Sequence, residues 1–323
     1  RMYLDETFSD KLEAEYVAGV DENNVEQVLE DIIKSGADIV FCVGPQMMPN
    51  SLKVAVEHPE VYILNCSLNA PHPYIRTYYG RMYEAKFLAG MIAGAVTDNE
   101  RVAYIADYPI YGMIANINAF ALGVASVNPR AKVYLAWSKT KDYDRDKFLT
   151  ENDLHYVSDQ DIITPNDASR YFGLYKIQGD QTLNLAMPIW NWGVFYEKLL
   201  QSVLAGSYKA EGQEQVKALN YWWGMSAGVI DLICSKHVPY GVKRLADHLK
   251  SDITKGEVVP FFGQIYNQKG ELKNKGEHEM KPSDIMKMDW LVDNVVGSIP
   301  PMSEFVDNAK MVVELKGVEE NKL

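Results

Sequence analysis

The sequence is poor in cysteine, in basic residues and in long hydrophobic runs, and each shortage argues against a class of protein. Three cysteines among 323 residues, without metal-like spacing or a histidine cluster, argue against a disulfide framework and a metal site. No apolar run approaches the roughly 18 to 20 residues that a membrane-spanning helix needs. The 32 basic residues against 44 acidic residues give a net charge of −12, which argues against a nucleic-acid partner.

The sequence also lacks the common catalytic motifs. It has no glycine-rich phosphate loop, no G-x-S-x-G, no H-E-x-x-H and no C-x-x-C. The segment KDYDRDKF spaces its acidic residues as a calcium loop does at its start, but Lys147 stands where that loop needs glycine. We interpret this segment as a solvated polar loop, and we expect no metal, no cofactor and no hydrolytic activity. The cysteines lie in apolar, strand-like runs and are interpreted as core thiols.

The sequence does contain an alternation of strand and helix patterns. EAEYVAGV alternates like a strand, NNVEQVLEDIIKSG has an apolar helical stripe, and ADIVFCVG and VYILNCS are apolar runs of strand length. RTYYGRMYEAKFLAGMIAGAVTDN indicates one long helix with small residues along one face. The pattern restarts near residue 100 with RVAYIADY and GMIANINAFALGVASVN. The chain is therefore predicted to be an α/β protein with doubly wound parallel sheets, and its length suits two lobes.

The second half is less regular. LNLAMPIW is predicted to be a strand and GVFYEKLLQSVLAG a helix, and VPFFGQIYNQKGELKNKG is predicted to form a hairpin that turns at residues 268–270. Two further stretches, PSDIMKMDWLVDNVVG and SEFVDNAKMVVELKG, are predicted to be helical.

Tryptophans and amides are concentrated in two short segments of the predicted second lobe. IWNWGVFY places Trp190 and Trp192 on either side of Asn191, and NYWWGMSAG includes Trp223. Tryptophan offers a flat apolar platform, and a neighbouring amide offers a donor and an acceptor, which is the combination that a planar heterocycle requires. The alternative is that these tryptophans pack in the core.

Polar residues follow two further predicted strands. Tyr111 lies where the strand YIAD hands over to a helix, and Asp159, Gln160 and Asp161 follow the strand LHYVS. Ligands of open α/β sheets bind at the carboxyl ends of strands, so that these residues are candidates for accepting hydrogen bonds from an amine or a ribose. The alternative is that both segments are ordinary turns.

Four segments occur together in this chain. They are the long helix with Tyr79, Arg81, Tyr83, Glu84 and Gly90, the stretch YIADYPIYGMIANINAFALGVASVNPRAKV, the segment IWNWGVFYEKLLQSVLAGSYK, and the tail MDWLVDNVVGSIP. In this combination they resemble the basic membrane protein (PnrA-like) family of ABC transporter substrate-binding proteins, over nearly the whole chain.

The resemblance implies a type I periplasmic-binding-protein fold, in which two lobes joined by crossing strands close over a purine nucleoside or base. Lobe 1 is expected to comprise residues 1–99 with about 225–255, and lobe 2 residues 100–224 with about 256–323. The family's first strand is expected to be missing from the start of this chain. Trp190 stands where ribose-binding members carry a lysine, which favours a free purine base stacked on Trp190 or Trp192.

The expected protein is thus a binding protein with no catalytic residues, and its implied partner is an ABC transporter permease. The implied location is the cell envelope, with the protein attached to the plasma membrane as a lipoprotein. The candidate ligand-binding residues are Trp190, Trp192, Tyr111, Asp159, Gln160, Asn191, Trp223, Met225, Gln46 and Ser67.

Three alternatives stay open from the sequence. The domain is a cytoplasmic purine sensor within a larger fusion protein, which the unpaired cysteines and the lack of a visible signal peptide favour. Alternatively, it binds a sugar or another small metabolite, because aromatic platforms also stack on sugars. The third alternative is an enzyme acting on nucleosides, with Asp159 and Asp161 as an acid–base pair.

Overall fold

The chain divides into two compact units. Unit 1 comprises Arg1–Gly80 and Asn191–Trp223, and unit 2 comprises Arg81–Trp190 and Gly224–Leu323. These bounds group residues 81–99, 191–223 and 225–255 differently from the predicted lobes, whose division for ligand binding stays a prediction. The computed structural model describes residues 2–9, 11–68, 74–161, 170–207 and 220–317.

Helices and strands alternate through most of the described residues. The helices are α1 (Met2–Thr7), α2 (Val25–Lys34), α3 (Met48–Glu57), α4 (Met82–Val96), α5 (Met113–Val127), α6 (Arg145–Glu151), α7 (Trp192–Leu204), α8 (Tyr240–Lys255), α9 (Pro282–Met286) and α10 (Asp307–Lys316). The strands are β1 (Ile39–Cys42), β2 (Tyr62–Cys66), β3 (Arg76–Gly80), β4 (Arg101–Ala106), β5 (Lys132–Trp137), β6 (Tyr156–Ser158), β7 (Leu174–Gln178), β8 (Gln181–Trp190), β9 (Asn220–Trp223), β10 (Ile230–Cys234), β11 (Gln264–Tyr266), β12 (Leu272–Lys275) and β13 (Val295–Val296).

Unit 1 contains a parallel four-stranded sheet in the order β1-β2-β3-β9. The apolar stripe of α2 buries Val25 and Leu29 in a cluster that also includes residues of α3 and β2. The alternating stretch at residues 13–20 was expected to be a strand, and this expectation is wrong, because the backbone there has no strand partner in the described part of unit 1.

Unit 2 contains a mixed seven-stranded sheet in the order β10-β8-β7-β6-β4-β5-β13. Strands β6, β4, β5 and β13 are parallel, whereas β7 is antiparallel to both β6 and β8. Strand β8 therefore runs in the same direction as β6, and the carboxyl ends of β4, β6 and β8 lie at one edge of the sheet. The antiparallel strand β10 begins at this same edge, with Ile230 opposite Trp190.

Helices α4 and α5 of unit 2 are packed backbone to backbone. A Cβ atom built on Gly90 would lie 2.0 Å from the carbonyl oxygen of Phe120, and one built on Gly123 would lie 2.0 Å from that of Phe87. Every residue of α4 from 82 to 94 is buried. The small residues predicted from the sequence thus bring α4 against α5, because only glycine leaves room for this approach.

The tail after α9 is tied to α5 by a buried asparagine. The Asn118 side chain donates to the carbonyl oxygen of Trp290 at 2.7 Å and accepts the N–H of Val292 at 3.0 Å. Asn118 is therefore a structural residue of the core. The segment that the sequence predicted to be one helix over PSDIMKMDWLVDNVVG is helical only over α9, and it continues into β13.

The start of α4 differs from the sequence prediction, whereas the hairpin agrees with it. The long helix predicted from residue 76 begins at Met82, because the β-forming residues Thr77, Tyr78 and Tyr79 belong to β3. The predicted hairpin is confirmed as β11 and β12, and its Gly270 has the positive φ that the turn requires. No helix among the described residues is long and apolar enough to cross a bilayer.

Candidate functional site

The five candidate residues of unit 2 lie at a single edge of its sheet. Tyr111 follows β4, Asp159 and Gln160 follow β6, and Trp190 ends β8. Met225 lies in a short 3₁₀ turn that precedes β10, which begins at the same edge. Because neighbouring strands are spaced by about 4.8 Å, β8 and β6 are separated by about 10 Å across β7. This edge is where open α/β sheets bind their ligands.

Asp159 lies in a hydrogen-bonded network at this edge. Its carboxylate accepts the hydroxyl of Tyr175 at 3.0 Å and the backbone N–H of Gln160 at 2.8 Å. Arg145 donates to the same Tyr175 hydroxyl at 2.9 Å, and its guanidinium lies 3.7 Å from the ring centre of Tyr171. Burial raises the pKa of Asp159, whereas its hydrogen bonds and the nearby cations oppose this shift.

A buried ion pair between Lys86 and Asp161 adjoins this network. The ammonium of Lys86 on α4 is 2.6 Å from the Asp161 carboxylate, and its side chain is 2 % exposed. The same ammonium lies 3.3 Å from the Ser158 hydroxyl and 3.4 Å from the backbone oxygen of Asp159. Burial raises the pKa of Asp161, and the attraction of Lys86 opposes this shift.

Trp190 and Tyr111 are partly exposed side chains at the edge. The indole N–H of Trp190 is buried, and it has no hydrogen-bond partner in the described part of the chain. A buried N–H without a partner is uncommon, because it gives up its bond to water without replacing it.

Met225 is positioned by Glu84 of α4. Its backbone N–H donates to the Glu84 carboxylate at 2.6 Å, and a Cβ atom on the preceding Gly224 would lie 2.3 Å from that carboxylate. Met225 is itself buried. Burial raises the pKa of Glu84, and the hydrogen bond from Met225 opposes this shift. Glu84 thus fixes the turn that leads into β10.

In unit 1, Gln46 and Ser67 follow the neighbouring parallel strands β1 and β2. Gln46 is exposed and lies in a 3₁₀ turn, whereas Ser67 is 3 % exposed. The nearby Asn65 donates to the carbonyl oxygen of Gly44 at 2.9 Å. The Ser67 hydroxyl and the Asn65 side-chain oxygen are both buried, and neither has a partner among the described residues. Both atoms lie at the carboxyl ends of the strands, and the role of Ser67 in ligand binding stays a prediction.

The remaining candidates of unit 1 are Trp192 and Trp223, which belong to an aromatic cluster, and Asn191. Trp192 begins α7 and contacts Tyr78 edge to face, with ring centres 5.6 Å apart. Trp223 ends β9 and lies 5.1 Å from Phe195 between ring centres. Asn191 precedes α7, and its side chain makes no cap hydrogen bond there. The packing of both tryptophans agrees with the alternative left open by the sequence, and their role in ligand binding stays a prediction.

A cluster of potential metal ligands and the thiol of Cys66 lie outside the set of candidate ligand-binding residues. Among the described residues, one group of three potential metal ligands comes close together, formed by Glu30, Glu57 and His58. His58 places one ring nitrogen 2.9 Å from Glu30 and the other 3.3 Å from Glu60, so that both nitrogens are engaged by carboxylates. Burial raises the pKa of Cys66 to about 12, so that this thiol is protonated at neutral pH.

The sequence analysis missed Lys86, Glu84, Arg145 and Tyr175. Glu84 and Lys86 were visible as two charges inside an otherwise apolar helical segment, which is a signal for buried, paired groups. Arg145 and Tyr175 gave no such signal. The pairing of β7 with β6 brings Tyr175 to Asp159, and the position of α6 brings Arg145 to Tyr175, and neither arrangement is encoded locally.

Comparisons with known proteins agree with this architecture. The family described as "ABC transporter substrate-binding protein PnrA-like" matches residues 3–181. A purine-binding protein of Brucella abortus is 27 % identical over 316 residues, which cover 93 % of this chain and 87 % of the relative. A putative ABC transporter glucose-binding protein of Haloferax volcanii is 29 % identical over 242 residues, covering 71 % of this chain and 60 % of the relative.

Solved structures show the same fold. A solute-binding protein of an ABC transporter system from Conexibacter woesei matches with a TM-score of 0.56 at 17 % identity, over 80 % of this chain and 91 % of that one. A transcriptional activator of the comK gene from Bacillus halodurans matches with a TM-score of 0.58 at 13 % identity, over 75 % and 87 %. The predicted α/β class with the type I periplasmic-binding-protein fold is confirmed.

Proposed function

Since the chain belongs to the PnrA-like family of ABC transporter substrate-binding proteins, we propose that it captures a purine, as a base or a nucleoside, for an ABC transporter permease. The family consists of binding proteins, so the chain is not an enzyme, and the alternative of a nucleoside-processing enzyme is not retained. The family also implies a membrane-associated or extracytoplasmic location rather than a cytoplasmic one. Attachment to the plasma membrane as a lipoprotein is part of the proposal.

One observation carries the choice of a purine. The relative from Brucella abortus that is named a purine-binding protein aligns with 93 % of this chain, which includes both units. The chemistry of the candidate residues supports this choice. The partly exposed Trp190 offers a surface on which a base stacks, and the Asp159 carboxylate accepts hydrogen bonds from an amine or a ring N–H.

A sugar is the second candidate ligand. The relative from Haloferax volcanii is named a putative glucose-binding protein, and it is 29 % identical to this chain. An aromatic platform beside carboxylates and amides also suits the apolar face and the hydroxyls of a sugar. The same experiment separates the two ligands.

The test is thermal unfolding of the purified chain with adenine, hypoxanthine, guanine, adenosine, inosine and glucose, each added separately. A ligand that binds only the folded state at about 100 times its Kd adds about 2.7 kcal/mol. At about 2 °C per kcal/mol for a chain of this size, the midpoint is expected to rise by about 5 °C. A rise with purines and none with glucose supports the proposal. A rise with glucose alone refutes it in favour of the sugar.

Trp190 is expected to stack on the bound purine. Replacement of a stacking aromatic by alanine typically costs about 1–3 kcal/mol per base, so Trp190→Ala is expected to raise the Kd for adenine about 5- to 150-fold, measured by isothermal titration calorimetry. The matched control is Trp290→Ala, since Trp290 is also partly exposed in unit 2 but precedes β13 rather than following a strand. Full affinity in Trp190→Ala refutes the stacking role.

A further inference from the structure

Lys86 is the one cation of α4, a helix whose residues from 82 to 94 are all buried and, apart from Glu84 and Lys86, uncharged. Its side chain is 2 % exposed, and its ammonium lies 5.1 Å from the ring centre of Tyr104. A buried ammonium costs several kcal/mol of desolvation unless it is paired and hydrogen-bonded. Within the described part of the chain, Lys86 meets this condition through a single segment, because its three oxygen contacts there are all to residues 158–161.

These three contacts fix the segment that carries Asp159. The ammonium binds the hydroxyl of Ser158 on one side and the carboxylate of Asp161 on the other, and between them it contacts the backbone oxygen of Asp159. The Asp159 side chain leaves this backbone toward Tyr175, at the carboxyl edge of the sheet. Movement of the segment would therefore move the Asp159 carboxylate.

We propose that Lys86 is a positioning residue for ligand binding, whose ammonium holds residues 158–161 so that the Asp159 carboxylate meets an N–H or O–H donor of the bound molecule. This inference rests on the proposed function, because it takes Asp159 as a ligand-binding group. An apolar pair of similar volume would fill the same space and often folds as stably as a buried ion pair. Unlike an apolar pair, the positive charge of Lys86 favours the ionised form of the neighbouring Asp159 carboxylate.

The groups that face Asp159 come from several elements. Positive charge comes from α4 and α6, and the other groups are tyrosines and one carboxylate. They are Lys86, Arg145, Tyr175, Tyr143, Tyr104 and Asp161. Removal of the Lys86 charge leaves the Arg145 guanidinium as the remaining cation in this set, so the carboxyl group of Asp159 is expected to release its proton at a higher pH.

The first experiment needs no ligand. The carboxyl carbon of Asp159 is followed by NMR titration in the wild type and in Lys86→Gln, and Asp159→Asn identifies its resonance. The titration midpoint is expected to be higher in Lys86→Gln. The matched control is Lys250→Gln, which removes the lysine of another Lys–Asp pair in unit 2, formed with Asp231, and it is expected to leave the midpoint unchanged. An unchanged midpoint in Lys86→Gln overturns the proposal.

The second experiment measures binding of adenine and of inosine by calorimetry. Lys86→Gln is expected to raise the Kd about tenfold, which is less than the full value of a hydrogen bond to a charged group. In an Asp159→Asn background the same change is expected to raise the Kd less than about twofold, because the group that Lys86 positions is gone. Equal losses in both backgrounds indicate a general structural defect and overturn the proposal.

Two further outcomes are distinguishable. If Lys86→Gln does not fold, Lys86→Met combined with Asp161→Asn replaces it in the binding measurement, since that variant leaves no unpaired buried charge. If the wild type binds neither adenine nor inosine, the proposed purine function is refuted. The titration of Asp159 then decides by itself whether Lys86 controls this carboxylate.

Discussion

The contact between α4 and α5 predicts a large effect from the smallest possible substitution. In Gly123→Ala, the added methyl group would lie 2.0 Å from the carbonyl oxygen of Phe87 and 2.9 Å from the backbone nitrogen of Met91. Both atoms belong to the backbone of α4, so that no side-chain rotation relieves the collision. The helices must separate until the methyl group reaches ordinary contact at about 3.4 Å, a movement of about 1.4 Å.

The cost follows from what this movement disrupts. Phe87, Met91, Phe120 and Val124 are buried at the interface, and a gap of 0.5–1 Å already forfeits about a quarter to a half of each dispersion contact. Overpacking of a core costs about 1–3 kcal/mol, and a backbone collision places this case at the upper end. Alanine regains up to about 1 kcal/mol of helix propensity. The net loss in free energy of unfolding is expected to be about 2–3 kcal/mol.

The assay is urea unfolding followed by circular dichroism and tryptophan fluorescence. The control is Gly241→Ala in α8, where an added Cβ atom meets nothing within 4 Å. This variant is expected to be more stable than the wild type by up to about 0.5 kcal/mol. The change there acts only through helix propensity, which matters less at the second residue of a helix than in its interior. The two substitutions are therefore expected to have opposite signs.

The double variant sharpens the test. Gly90→Ala collides with Phe120 across the same interface, so that one separation of the helices relieves both collisions. Gly90→Ala combined with Gly123→Ala is expected to cost clearly less than the sum of the two single variants. A loss below about 1 kcal/mol in Gly123→Ala, or full additivity in the double variant, would refute the reasoning.

Two buried polar side chains give further predictions. Burial raises the pKa of Glu84 above its unfolded value, so that its protonation stabilises the fold at low pH and this stabilisation is lost as pH rises through the folded pKa. The wild type should therefore gain free energy of unfolding relative to Glu84→Gln as the pH falls from neutrality toward the ordinary glutamate pKa of 4.5, measured by urea titrations; a constant difference contradicts this. Asn118→Ala leaves the Trp290 carbonyl and the Val292 N–H without their side-chain partner and should cost about 2–4 kcal/mol by thermal unfolding; a loss under about 1 kcal/mol contradicts this.

The sequence predicts those elements whose signal is local. The apolar stripe of α2 repeats within a few residues, and the structure buries Val25 and Leu29 as that period requires. The hairpin of β11 and β12 depends on a short turn that contains Gly270. Residues 13–20 show how a local pattern fails, because alternation becomes a strand only when a partner strand lies beside it.

Contacts between residues that are far apart in the sequence cannot be predicted from local patterns. Lys86 and Asp161 are far apart in the sequence, and their contact depends on the packing of α4 against the sheet of unit 2. Strand ends were recognisable from the sequence, and the structure places Asp159 just after β6 and Trp190 at the end of β8, two strands that run in the same direction. The sequence did not distinguish Trp190 from Trp192. Both are partly exposed, and they differ in that Trp192 packs edge to face against Tyr78.

The sheet of unit 1 has a consequence for synthesis of the chain. Its strand β3 pairs with β9, and Thr77 lies opposite Asn220. During synthesis this pairing cannot form until the intervening segment of unit 2 has left the ribosome. During this interval β3 presents an unpaired edge to the solvent, and such edges recruit strands from other chains. A chain that ends before β9 keeps this edge permanently. Truncated products are therefore expected to aggregate through β3, whereas in the completed chain β9 pairs with β3 and covers this edge.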